Sequence, residues 1–389
     1  MILRCTVLLA ALCAAGSPLL AQQDSAALER PFVRGGVYDK PYLTRLGGGT
    51  AIGGYAEAHA RWEESDGLRE AAGFEAKRFN LFTATQVSDF VRFGAELEIE
   101  SGGEELKLEY AAIDFRFHPR LTLRAGMILS PIGRFNLSHD SPLNEFTDRP
   151  LVSTEILGVA LSEPGFGLLG HFGFGRFGRF TFEGYATNGF HDGVIFDSEE
   201  GTRIPRGRGN FEDSNGSPAL VGRVAVSPQP GFELGVSAHH GAWNVWNSGG
   251  ADIDQRRDLT LAAIDAEASI GPMVLQGELA TASIDVPPGL TGIYAEHQRG
   301  GYLDITLPFG RGIVRAMPQS EFAFKLRADA VDFDTDRAGH SIEQVSVGIN
   351  FRPTSETVLK FDLVRGRSHD EFNVRAHHAR LLMSLATYF

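Results

Sequence analysis

Apolar and polar residues alternate one by one along most of this chain, and helical spacing is scarce. Val91, Phe93, Ala95, Leu97 and Ile99 interleave with Arg92, Gly94, Glu96, Glu98 and Glu100. Ala56, Ala58, Ala60 and Trp62 interleave with Glu57, His59 and Arg61, and Phe324, Leu326, Ala328 and Ala330 with Lys325, Arg327 and Asp329. Successive side chains of a strand point to opposite faces, so each segment has one apolar wall and one charged wall. This rule predicts strands near residues 51–62, 75–87, 90–100, 106–117, 120–129, 165–173, 177–187 and 218–227. The second half continues near 231–242, 258–270, 272–283, 299–308, 321–333, 341–352, 356–366 and 374–389. That makes about sixteen, an even number as bacterial transmembrane barrels require.

The connections alternate in length. Ser88-Asp89, His118-Pro119, Pro228-Gln229-Pro230 and Pro353-Thr354-Ser355 read as tight turns, with longer polar loops at 130–164, 188–217, 243–257 and 284–298. Residues 309–320 are long for the short-turn side, so fourteen or eighteen strands also fit. The expected fold class is all-β, an antiparallel transmembrane β-barrel with short periplasmic turns and long extracellular loops.

Alternation alone does not separate a soluble barrel from a membrane one; the two ends do. Arg4 precedes an apolar run over residues 5–16, and Ser17-Pro18-Leu19-Leu20-Ala21 offers a small residue for cleavage before Gln22-Gln23. The run is too short to span a bilayer, so residues 1–21 read as a secretory signal peptide. At the other end Phe389, Thr387, Leu385, Met383 and Leu381 share one strand face, while Tyr388, Ala386, Ser384 and Arg380 share the other. A terminal aromatic on such a strand resembles the signal that outer-membrane barrels present to the barrel-assembly machinery, which assigns that role to Phe389. Residues 22–46, with Arg30, Arg34, Lys40 and Arg45, form an N-terminal segment that either hangs in the periplasm or partly plugs the mouth. The barrel proper is expected over 47–389, in the bacterial outer membrane and in contact with its lipid.

Composition narrows the function. The formal charge is −13, and −14 once residues 1–21 are removed, which argues against nucleic acid as a partner. Both cysteines, Cys5 and Cys13, lie within the signal, so the mature chain has no disulfide or thiolate metal site. Gly165 to Gly170 and Gly173 to Gly178 both spell G-x-G-x-x-G, but in Phe-rich alternating strand and turn rather than before a helix, as dinucleotide binding needs. The clustered phenylalanines suit an aromatic girdle at the lipid–water boundary. His239-His240 and His377-His378 are adjacent strand residues that face opposite sides, so neither pair chelates one ion. Ser138-His139-Asp140 puts three triad side-chain types together, but contiguous residues do not let a base face both partners. The reading is a non-enzyme without cofactor or metal.

By parity the lumen wall displays Glu57, Arg61, Arg78, Arg92, Arg124, Lys325, Arg327 and Asp329, joined by Arg116, Arg179, Arg223, Lys360, Glu96, Glu98, Asp114, Glu183, Asp265, Glu267 and Glu278. Some of these charges serve to pair across neighbouring strands. The longest outer loop, the third, is expected to fold into the lumen, since a barrel this wide is otherwise an open channel. It offers Arg134, His139, Asp140, Glu145, Asp148 and Arg149 as candidates for the edge of a constriction, or, for some of its acids, as anchors to the wall.

Leu123-Arg124-Ala125-Gly126, then Ser130-Pro131-Ile132-Gly133-Arg134-Phe135-Asn136, Thr147-Asp148-Arg149-Pro150 and Ser162-Glu163-Pro164-Gly165, resemble porins of the phosphate-selective porin O and P type. Ile52-Gly53-Gly54-Tyr55-Ala56-Glu57 and Glu109-Tyr110-Ala111-Ala112-Ile113-Asp114-Phe115 do so too. The resemblance implies a sixteen-stranded channel, a homotrimer, with an inward-folded third loop. It departs from the family's namesake trait: residues 130–163 carry a net charge of −3, against the basic constriction expected of phosphate selectivity. Two readings follow: a porin passing small polar or charged solutes with weak selectivity, or a plugged structural or adhesive barrel without channel activity.

Overall fold

The computed structural model describes residues 44–47, 49–198 and 200–389. The expected signal peptide and all but the end of the 22–46 segment lie outside the described residues. Sixteen long strands form one antiparallel sheet that closes on itself. They are β1 (Thr50–Ser65), β2 (Leu68–Gln86), β3 (Val91–Glu100), β4 (Glu105–His118), β5 (Leu121–Leu129), β6 (Ser162–Phe174), β7 (Gly178–Thr187) and β8 (Ala219–Ser227). There follow β9 (Phe232–Ala242), β10 (Asp258–Ile270), β11 (Met273–Ile284), β12 (His297–Phe309), β13 (Glu321–Asp332), β14 (Ser341–Arg352), β15 (Thr357–His369) and β16 (Arg375–Tyr388). Every strand pairs with its sequence neighbours, and β16 returns to β1 through Tyr388↔Tyr55, Ser384↔His59 and Arg380↔Glu63. A four-residue strand, Thr44–Gly47, pairs with the start of β1.

Each of the sixteen predicted segments overlaps one observed strand, and the long 310–320 connection joins β12 to β13 without altering the count. The first outer connection is the tightest. Asp66 and Gly67 both have positive φ, 47° and 80°, as a two-residue hairpin turn of matching twist demands. The third outer loop is three residues shorter than expected because β6 begins at Ser162.

The two faces separate as the alternation predicts. Phe324, Val345, Leu363, Leu385 and Leu307 are exposed on the outside, while Lys325, Arg327, Ser346, Asp362 and Ser384 on the same strands are buried within. A soluble protein would bury the first set; only lipid satisfies it here, because apolar surface is costly in water. Phenylalanines meet near the strand ends on the short-turn side, stacked in Phe309–Phe322 and Phe172–Phe182 and tilted in Phe322–Phe351. The seam is completed by the terminal residue. Phe389 and Gly54 exchange backbone hydrogen bonds of 3.0 and 3.1 Å, and the Phe389 ring stacks on Phe79 at 5.5 Å. Gly54 is required there: a Cβ would lie 2.1 Å from the Asn80 carbonyl and 2.7 Å from the Phe389 ring.

Candidate functional site

The lumen is organised by the third outer loop, residues 130–161, which runs inward from β5 and back to β6. Its neck is closed by one side chain. Asn136 Nδ2 donates to the carbonyls of Ser130 (2.7 Å) and Leu161 (3.0 Å), and its Oδ1 accepts the Leu161 N–H at 2.8 Å. Fully buried, Asn136 thus meets the backbone of both ends of the loop. From this neck the loop crosses to the far wall, where Gly133 N–H donates to Ser237 (2.9 Å) and Phe135 N–H to Glu278 (3.1 Å). Two short helical turns, Arg134–Leu137 and Leu151–Glu155, shape the descending and returning limbs.

An apolar cluster fixes one side. Ile132, Phe135, Val152, Ile156 and Leu157 of the third loop pack with Phe190, Val194, Ile195 and Ile204 of the fourth outer loop, and with Leu259, Leu261 and Ile284 of the wall. These apolar residues inside otherwise polar loops are the signal that the fourth loop also folds inward, which the sequence reading did not use. Burial of such a cluster holds the loop without directional bonds.

The loop's charged residues, six of which the sequence nominated, mostly meet the wall. Arg134 pairs with Glu267 at 2.7 Å, leaving its Nε and Nη1 without an acceptor. His139 bonds Glu109 through Nε2 (2.6 Å) and the Asn136 carbonyl through Nδ1 (2.7 Å). Asp140 accepts the Tyr388 hydroxyl at 2.9 Å. Glu145 accepts from Asn350 (2.6 Å) and Arg352 (3.1 Å), while Lys325 donates to its backbone carbonyl. Burial works against the charged form of Glu145, yet the cations Arg352 and Lys325 prevail and hold its pKa below the ordinary value. Asp148 joins Arg61 of β1 and Arg380 of β16, each at 3.0 Å, and its carbonyl accepts from Arg327. Arg149 differs: its Nε and Nη2 are shut off from solvent without a protein acceptor.

The nominated wall residues line the inside of the barrel. Glu57 contacts His59 (2.8 Å) and Arg78 (3.5 Å) and accepts from the loop's Ser141 at 2.6 Å. Arg78 also reaches Glu100 at 3.1 Å, Arg92 stands opposite Asp114 in register, and Arg124 holds Asp114 through two bonds of 2.8 and 3.0 Å. Lys325 pairs with Asp362 (2.6 Å), and Arg327 grips Asp304 at 2.7 and 2.6 Å; both cations lie over the Phe146 ring of the loop. Asp329 accepts the Leu151 N–H at 2.9 Å. Arg116 is exposed and bonds the Asp89 carbonyl in the turn before β3. Parity alone did not identify Lys360, which donates to the Ser141 and Phe146 carbonyls, or Asp362, which accepts the Thr147 N–H, as loop anchors.

The first glycine-rich match lies within β6, and the second spans the end of β6 and its turn into β7. His239 faces inward to Glu163 (3.1 Å) and His240 outward to Thr260 (2.9 Å), so the pair does straddle the sheet. No group of three metal-binding side chains gathers among the described residues.

No family profile matches the chain. An uncharacterized protein of Aquifex aeolicus is 24% identical over 342 residues, covering 82% of this chain and 76% of that one. Among solved structures, an anion-selective porin from Comamonas acidovorans aligns with TM-score 0.57 at 13% identity, over 87% of this chain and 99% of its own. The outer membrane channel DcaP of Acinetobacter baumannii aligns at 0.55 and 15%, over 89% and 99%, and Pseudomonas putida OprB at 0.55 and 9%, over 88% and 94%. At such identities the likeness is one of fold. Together with the lipid-facing exterior it makes this chain a sixteen-stranded transmembrane β-barrel with the fold of those channels, resident in the bacterial outer membrane.

Proposed function

We propose that the chain is a porin through which small polar or charged solutes diffuse passively, narrowed by the third loop and weakly selective. The carrying observation is the charge arrangement of the lumen. Acids and bases of loop and wall meet as mixed pairs, such as Asp148 between Arg61 and Arg380, rather than as rings of one sign. Rings of one sign select ions, whereas mixed charge orients water across the aperture and discriminates little. The resemblance to phosphate-selective porin O and P sequences supports the channel reading, and the neighbouring Comamonas protein is described as anion-selective. For this chain the net −3 of residues 130–163 speaks against strong anion preference. On this reading Glu145, Asp148 and Asp140 are chiefly anchors, the third loop they hold edges the aperture, the protein is a homotrimer, and it catalyses no reaction.

The test is the reversal potential of the reconstituted protein under a potassium chloride gradient, with phosphate as competitor. A small reversal potential and little block by phosphate are expected. Strong block at low phosphate concentration would return the chain to phosphate selectivity.

A further inference from the structure

The outer wall carries a feature that the channel does not use. On β15 the lipid-facing side chains run Leu359, Phe361, Leu363 and then change abruptly to Arg365, Arg367 and His369. The neighbouring strand does the same in reverse: Leu385, Met383, Leu381 and Ala379 give way to His377 and Arg375. Register makes these one patch, because Arg365 lies opposite Ala379, Arg367 opposite His377 and His369 opposite Arg375. Directly opposed side chains in a sheet stand about 5 Å apart, so three guanidiniums and two imidazoles share one small area. The acids beside them include Glu343 of β14, which pairs with Arg367 at 2.6 Å, Glu64 of β1, opposite Ala379, Asp66, which accepts the His377 N–H at 2.8 Å, and Asp370, next to His369. The Arg365 and Arg375 side chains are exposed, and neither guanidinium makes a hydrogen bond or ion pair with a described residue.

The height of the patch says what meets it. It lies at the loop end of the strands, where the outward apolar side chains give out: Val347, Leu363 and Leu381 form a full apolar row, and Val345 and Ala379 flank Arg365 in the next. On the periplasmic side the corresponding boundary is marked by contacting phenylalanines, Phe309, Phe322 and Phe351. A basic cluster at the extracellular boundary, on a chain of net charge −13, complements anionic head groups of the outer leaflet.

We propose that Arg365 and Arg375, assisted by Arg367 and the two histidines, bind the phosphate groups of outer-leaflet glycolipid at this rim. A guanidinium meets a phosphate through parallel N–H donors, and Leu363 and Leu381 below receive the start of the acyl chains. The proposal is independent of conduction and stands or falls separately from the porin reading.

The experiment uses the full folded protein in detergent, titrated with fluorescently labelled bisphosphorylated lipid A. The wild type is expected to bind it, more weakly as salt rises. Arg365→Gln with Arg375→Gln is expected to bind about tenfold more weakly while still showing the heat-dependent gel shift of a folded barrel. Arg365→Lys with Arg375→Lys, which keeps the charge, is expected to recover part of the binding. Wild type is expected to bind dephosphorylated lipid A no better than the double Gln variant binds the bisphosphorylated form. Equal binding of both lipids by wild type, or of bisphosphorylated lipid by wild type and double Gln variant, would overturn the proposal. Should the Gln variant fail to fold, salt-independent binding by the wild type would overturn it. So would efficient cross-linking of Arg365→Cys between copies in membranes, since the patch would then face a second chain.

Discussion

Replacing Asn136 with Ala should unlatch the third loop without unfolding the barrel. The side chain makes three hydrogen bonds to the backbone of Ser130 and Leu161, and all of them are buried. A net contribution of about 1 kcal/mol for each bond gives roughly 3 kcal/mol, before any cost of backbone groups left without partners. The Ser130 N–H to Leu161 carbonyl bond of 2.9 Å survives and limits the damage. A change of about 3 kcal/mol multiplies the ratio of displaced to seated loop on the order of a hundredfold. Asn136→Asp should be worse at neutral pH. It keeps an acceptor for the Leu161 N–H but turns a carboxylate oxygen toward two carbonyl oxygens. Single-channel recording reads the effect directly, with more frequent transitions to larger conductance levels in Ala and most in Asp. The heat-dependent gel shift should show both barrels still closed. Wild-type conductance and noise in both folded variants would refute the claim that this residue closes the neck.

Leu326 faces lipid between Ile305 and Val347, so Leu326→Arg should destabilise by about 2–4 kcal/mol in urea unfolding from lipid bilayers; a change below about 1 kcal/mol would mean the face is misassigned. Deleting Phe389 removes its stacking on Phe79 and its two bonds to Gly54, and should slow the appearance of the folded gel species in assembly assays. Glu145 has a folded pKa below its ordinary value, so it stabilises the seated loop above the usual carboxylate range, near pH 4.3, and this contribution is lost as pH falls through the lower folded value. Channel noise should therefore rise in acid, and Glu145→Gln should already be noisier at neutral pH and respond less to acid.

The strands were legible because each side chain of a barrel wall meets either lipid or lumen, with nothing between. Phe324, Lys325, Leu326 and Arg327 therefore print the wall on the sequence in period two, and a lone Gly or Pro shifts only the ends. Parity also placed Glu57, Arg124 and Asp329 on the inner wall. It could not tell which of them hold the loop, because those partners are remote in sequence. Asp140 meets Tyr388, Glu145 meets Asn350 and Arg352, and Thr147 meets Asp362. Such pairings depend on the path of an irregular segment, which no periodicity encodes. Asn136 was visible only as part of a resembling motif; its place at the neck follows from Ser130 and Leu161 meeting across the mouth of the loop. Arg116 shows the opposite limit of parity. A residue near a strand end can have the lumen's phase and still bond the Asp89 carbonyl in a turn.

The most direct test of the account is single-channel recording of the purified full-length protein in planar bilayers. The account predicts discrete, stepwise conductance increases in potassium chloride that scale with bulk salt. A folded, membrane-inserted protein that gives no conductance steps would contradict it and establish the barrel as plugged.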